Sequence, residues 1–179
     1  MFKRSEYHKA ISEENKKLSE ISNSIFIGQQ VGAEVEDFYG TLKDVPAERR
    51  LEMPVTEELQ LGMSLGLALE NYLPISIFQR IDFLLRAADQ LVNHLDLIEE
   101  LSREIFRPKV IIRTTVGSVS PIDTGLQHSK DLTVGFSKLL RNIKVMKVTT
   151  PNEVKEAYQF AREADRSTLI IEIQDLYNV

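Results

Sequence analysis

Apolar residues fall along the chain in two alternating kinds of block, short runs that are apolar at nearly every position and longer stretches that are apolar at helical spacing. The short runs are "SIFIG" (24–28), "LPISIF" (73–78), "KVIIRTT" (109–115), "IKVMKV" (143–148) and "STLIIEI" (167–173). Runs of this length without polar alternation fit strands covered on both faces. The longer stretches begin with residues 4–20, where Tyr7, Ala10, Ile11 and Leu18 share one face. A helix of about 14 residues follows Pro54 and Thr56, a long one spans 82–105, and a short one lies near 130–141. Residues 150–165 form the best-signalled helix, with Thr150 as N-cap, Pro151 at the first position and Glu153 in the first turn.

Strands alternating with helices predict an α/β fold: three layers, α/β/α, around a mainly parallel sheet of about five or six strands joined by right-handed crossovers. Ligands in such sheets gather at the carboxyl ends of the strands, where the loops 28–50, 78–82 and 115–129 lie. Residues 29–50, polar and punctuated by Gly32, Gly40 and Pro46, read as a long irregular excursion. With no internal repeat and no low-complexity linker, residues 1–179 are expected to form a single domain without a second, C-terminal one.

Composition narrows the function classes. At 42% hydrophobic and 27% charged residues the chain is globular, and a net charge of −5 with scattered basic residues argues against a nucleic-acid partner. The absence of cysteine excludes disulfides, thiol nucleophiles and cysteine metal sites. His8, His94 and His128 stand far apart, so no metal site is expected on this chain. No apolar run reaches the roughly 18–20 residues of a membrane span, and the first residues lack a signal-peptide core, so a cytoplasmic protein is expected. No phosphate-cradling glycine motif occurs; "GMSLG" (62–66) reads as small residues permitting close packing of a helix.

Chemistry concentrates in three stretches. In "EMPVTEELQLGMSLGLALEN" (52–71), Glu57 and Glu58 occupy a first helical turn, where the helix dipole favours a carboxylate by roughly 0.3–1 kcal/mol. That alone accounts for an acidic pair. Yet the helix behind them is apolar almost all round and is expected to be buried, and a carboxylate at its mouth would lose hydration and be suited to share a proton with a ligand nitrogen. One glutamate can face solvent while the other points inward. In "QHS" (127–129), His128 reads either as an acid–base or anion-binding group or as an exposed loop residue. "FQRIDF" (78–83) brings Gln79, Asp82 and Phe83 to another strand end, and by period alone Phe83 reads as core.

Together these segments resemble the pyrimidine-binding domain of thiamine-diphosphate enzymes of the transketolase-like superfamily, and most of all the beta subunit of the first component of 2-oxo acid dehydrogenases. "ERRLEMPVTEELQLGMSLGLAL" is similar to the family's "ERVxDTPISExGxxGxAxGxA", "LPISIFQRIDFLLRAADQLVNHL" to "RPVxExxFxDFxxxAxDQIxNxA", and "KVIIRTTVG…GLQHS" to "PxVxRxPxG…GPQHS". The likeness covers nearly the whole chain, with the motifs in the family's order. It implies that Glu57 hydrogen-bonds the 1′-nitrogen of the cofactor's aminopyrimidine and so favours loss of the thiazolium proton. It further implies that Phe83 stacks on that ring, that Gln79 lies beside it and that His128 faces the substrate.

The sequence departs from the family pattern at Gln29 and Gln30, where relatives carry an acid, at Ile77, where a glutamate is common, and at Arg80. It contains no "GDG…N" motif for Mg²⁺ and diphosphate. The resemblance therefore implies a beta-type subunit of a split thiamine-diphosphate enzyme acting on a 2-oxo acid by decarboxylation and acyl or aldehyde transfer. A diphosphate-binding, alpha-type partner would hold Mg²⁺, in an α₂β₂-like tetramer containing a homodimer of this chain. Two alternatives share the same residues: a non-catalytic, regulatory domain that keeps the fold, and a fragment of a longer beta subunit.

Overall fold

The computed structural model describes residues 3–32, 37–120 and 123–178. Residues 33–36 of the predicted excursion and 121–122 of the loop before His128 lie outside the described residues. The elements are α1 (Glu6–Ser19), β1 (Ser24–Gly28), β2 (Arg50–Glu52), α2 (Glu57–Leu69), β3 (Leu73–Ile77), α3 (Ile81–Leu84), α4 (Ile98–Leu101), β4 (Ile111–Val116), α5 (Thr133–Leu139), β5 (Lys144–Lys147), α6 (Pro151–Glu163) and β6 (Thr168–Ile173). All six strands run parallel in the order β2-β1-β3-β4-β6-β5.

The five apolar runs all become strands. The sixth, β2, was not predicted: "RLE" is too short and too polar to signal a strand, yet it pairs with β1 at the sheet's edge, Ile27 against Leu51. Successive strand residues point to opposite faces and are buried on both. Phe26, Ile75, Ile77, Ile111 and Ile170 pack beneath α1 and α6. Ile112, Leu169 and Ile171 meet Leu61 of α2, Leu91 and Phe136 of α5 on the other face. Each such side chain contributes about 1.5–3 kcal/mol by leaving water.

Two expectations about helices are corrected. The segment 82–105 is not one helix. It runs through α3, a 3₁₀ turn (Leu85–Ala87), a π-helical turn (Gln90–Leu95) and α4, and ends with Arg103 and Glu104 at positive φ. The wide turn ends at Asp96, whose backbone N–H reaches back five residues to Leu91. Asp96 is buried, and its carboxylate accepts the backbone N–H groups of Arg141, Asn142 and Ile143 at 2.8–2.9 Å, fixing the approach to β5. Nor is α2 buried all round. Leu59 is 53% exposed, and Met63 and Leu69 are exposed as well.

On the α1/α6 face, β4 and β6 place Arg113 against Glu172, both fully buried. The pair is bidentate, with Nε to Oε1 at 2.9 Å and Nη2 to Oε2 at 3.0 Å. Tyr158 of α6 donates to Oε1 at 2.5 Å and Tyr177 donates to Oε2. The guanidinium also stacks over Phe38, 5.0 Å from the ring centroid. Burial alone would pull Arg113 towards neutrality, but Glu172 and the tyrosines outweigh it and hold the group above its ordinary value.

Candidate functional site

The first turn of α2 stands at the carboxyl ends of β1, β2 and β3, because Gly28 is in register with both Glu52 and Ile77. Gly28 is needed there: a Cβ would stand 2.3 Å from the Ile77 carbonyl oxygen, so no larger residue lets the two strands end side by side. Gln60, one turn beyond Glu57, locks the helix to these ends. Its buried amide donates to Ile77 O at 2.9 Å and to Ser76 Oγ at 3.2 Å, with Ile27 O at 3.4 Å. A lone glutamine among leucines was the signal for this anchor, and sequence reasoning passed it over.

With α2 so held, the acidic pair divides as expected. Glu58 is exposed, whereas Glu57 is only 4% exposed. Glu57 borders a cleft of about 560 Å³ shared with Val55, Thr56, Glu58, Leu59, Gly62, Arg86 and Gln90. That volume lies within the range of small-ligand sites. Gln90 comes from the π-helical turn, a kind of irregularity that recurs at functional positions. Arg86 Nε lies 3.3 Å from Glu57 Oε2, yet that oxygen accepts no hydrogen bond from the described residues. Only the arginine of this pair is exposed, and the contact lacks the alignment of a hydrogen bond. Oε2 is thus left able to accept a hydrogen bond.

Phe83 and His128 come together beside this cleft's strand ends rather than in its lining. Their rings meet edge to face, with centroids 5.4 Å apart and planes at 73°. His128 Nδ1 is buried without a hydrogen-bond partner among the described residues. Phe83 is half-buried, not core. Gln79 is also half-buried, and its carbonyl accepts Thr115 Oγ1 at 2.6 Å, tying the ends of β3 and β4 together. Neither Phe83, Gln79 nor His128 lines the Glu57 cleft. The sequence-predicted residues thus form two neighbouring groups on one rim of the sheet.

The loop that carries His128 is held at its root. Arg80 Nε donates to Gly117 O at 3.3 Å, and the Asp175 carboxylate accepts Val119 N at 3.0 Å and Ser120 N at 3.3 Å. Thr124 Oγ1 lies 3.0 Å from Ser118 O and 3.2 Å from His128 O. After β1, the Glu52 carboxylate of β2 accepts Gln30 N at 2.8 Å and Gly32 N at 2.7 Å. Among the described residues no group of three or more His, Asp or Glu could hold a metal ion, and no helix is long and apolar enough to cross a membrane.

A family profile described as "Transketolase, pyrimidine binding domain" matches residues 6–178. The chain is 27% identical over 162 residues to the pyruvate dehydrogenase E1 component subunit beta of Gracilaria tenuistipitata var. liui, covering 88% of this chain and 49% of that protein. It is 29% identical over 143 residues to the mitochondrial pyruvate dehydrogenase E1 subunit beta of Saccharomyces cerevisiae, covering 76% and 37%. It spans about half or less of the length of these relatives. Among solved structures it superimposes on a split-gene transketolase, described as an inactive beta4 tetramer, with a TM-score of 0.70 at 16% identity, over 97% of this chain and 52% of that one. For the transketolase of Leishmania mexicana the TM-score is 0.71 at 15% identity, over 96% and 25%. A six-stranded parallel sheet with a buried glutamate at the carboxyl ends of its strands, matched by this profile over almost its whole length, belongs to the transketolase-type pyrimidine-binding family.

Proposed function

We propose that the chain is the pyrimidine-domain, beta-type subunit of a split thiamine-diphosphate enzyme that decarboxylates a 2-oxo acid and transfers the resulting acyl or aldehyde unit. The observation that carries this reading is Glu57, buried at the head of a cleft with one carboxylate oxygen lacking a hydrogen bond. Such an oxygen fits a ring nitrogen that brings its own proton. The family and the names of the curated relatives support the cofactor class.

In this reading Glu57 accepts a hydrogen bond from the aminopyrimidine 1′-nitrogen and holds the proton shared there. Phe83 would pack against the ring, Gln79 would lie beside it, and His128 would handle protons or the substrate carboxylate. When bound, the cofactor would supply a nucleophilic carbon and an electron sink for the loss of carbon dioxide. The apolar side of α2 keeps water from the carboxylate.

An alpha-type partner would contribute the diphosphate and Mg²⁺ sites, in the cytoplasm, as one half of an α₂β₂-like tetramer. The open apolar residues Leu59, Met63 and Leu69 suit burial against a second copy of this chain. The alternative of a non-catalytic, regulatory domain is favoured by one observation, the arginine set against Glu57.

The test is to express the chain with a candidate alpha-type subunit and measure cofactor binding and 2-oxo acid turnover. Glu57→Gln should lower turnover by at least a hundredfold while leaving the fold intact. Turnover unaffected by this change would overturn the assignment, and an assembly that binds cofactor without any turnover would favour the regulatory alternative.

A further inference from the structure

We propose that Arg86 sets the affinity of the Glu57 cleft for its ring ligand by competing with that ligand for the carboxylate. The inference rests on the reading of Glu57 given above. Arg86 leaves the 3₁₀ turn between α3 and the π-helical turn and reaches across the mouth of the cleft, with its side chain 74% exposed. Its Nε is 3.3 Å from Glu57 Oε2 without the alignment of a hydrogen bond. The contact is thus electrostatic, at the solvent edge, and cheap to break.

Arg86 stands beside Oε2, the carboxylate oxygen left without a hydrogen bond for the ligand. A ring nitrogen that shares a proton with Glu57 carries partial positive charge, and a guanidinium held beside it would repel that charge. The two arrangements therefore compete. Glu58, exposed on the wall of the same cleft, offers the displaced guanidinium a second carboxylate. Because the arginine is exposed while the glutamate is buried, the arginine is the member of the pair that moves.

The test titrates the full chain, followed by amide NMR shifts, with 4-amino-5-hydroxymethyl-2-methylpyrimidine, which has the ring without a thiazolium charge. R86M should bind it about two- to fivefold more tightly than the wild type, the factor expected for removing a weak contact at the solvent edge. R86K should stay close to the wild type, and added salt should narrow the gap between wild type and R86M. E57Q should abolish binding. If E57Q abolishes binding but R86M binds no more tightly, the competition is wrong and the site reading stands. If E57Q binds as well as the wild type, or if no variant binds, both are overturned.

Discussion

Arg113 on β4 and Glu172 on β6 form a two-pronged ion pair with neither residue open to solvent, and Tyr158 and Tyr177 each donate to one of the glutamate oxygens. Each charge has been taken out of water, so each depends on the other. Arg113→Met or Glu172→Leu alone should destabilise the fold by about 3–5 kcal/mol, since the remaining charge stays buried without its partner. The double substitution should recover a large part of that loss, measured by urea unfolding.

The same cluster predicts alkaline sensitivity. Burial, reinforced by the charge of Glu172, raises the hydroxyls of Tyr7, Tyr158 and Tyr177 above the ordinary tyrosine value. A group with a raised folded value gives stability that is complete below its unfolded value, about 10, and lost as pH rises beyond it. Chemical denaturation between pH 8 and 11 should show stability level up to about pH 10 and then falling, by at most about 1.4 kcal/mol per pH unit for each such tyrosine. Tyr158→Phe should flatten the slope by one proton.

His8 sets the acid limit. It is buried, it donates through Nε2 to Tyr39 O at 2.9 Å, and burial holds its imidazole below the ordinary histidine value against the pull of that carbonyl. The unfolded chain then takes up the proton first. Stability is complete above about pH 6.5 and is lost as pH falls towards the folded value. Thermal melts from pH 8 to 5 should show this decline in the wild type and a flatter profile in His8→Gln.

Gln60 links stability to the site. Gln60→Leu removes the donor shared by Ile77 O and Ser76 Oγ and leaves a buried carbonyl unpaired, costing about 1–3 kcal/mol. The variant should also bind the aminopyrimidine more weakly, because the turn bearing Glu57 is no longer fixed to the strand ends. Unfolding and titration of one preparation check both effects.

Thr150 offers a control far from the cleft. Its side chain accepts Glu153 N at 3.2 Å while Glu153 Oε2 accepts Thr150 N at 3.2 Å, closing a capping box on α6. Thr150→Ala should cost about 1 kcal/mol in unfolding and leave ligand binding unchanged.

Much of this architecture is readable from the chain because burial on both faces leaves an unmistakable mark, as in the runs at Ile111–Ile112 and Leu169–Ile171. What escaped was written in polar residues. Arg50–Glu52 is a strand because β1 offers it an edge, not because its composition asks for one. The break in 82–105 follows from the need of three backbone N–H groups for Asp96, a partnership 45 to 47 residues distant in sequence. Glu57 could be marked out from its place in a first turn, but Arg86, which meets it in space, stands 29 positions away, with nothing in "LLRAAD" to announce the pairing.

The ion pair between β4 and β6 also imposes an order on folding. Glu172 follows Arg113 by 59 residues, and β6 is the strand that separates β4 from β5 in the sheet. Tyr7, near the start, waits for the same segment, since its hydroxyl accepts the N–H of Ile173 at 3.0 Å. A chain still emerging from the ribosome therefore holds Arg113 without a counter-charge and β4 with an open edge. Closing this pair joins residues 59 positions apart, so it is a long-range contact that forms slowly, and until then the nascent strands are candidates for chaperone binding.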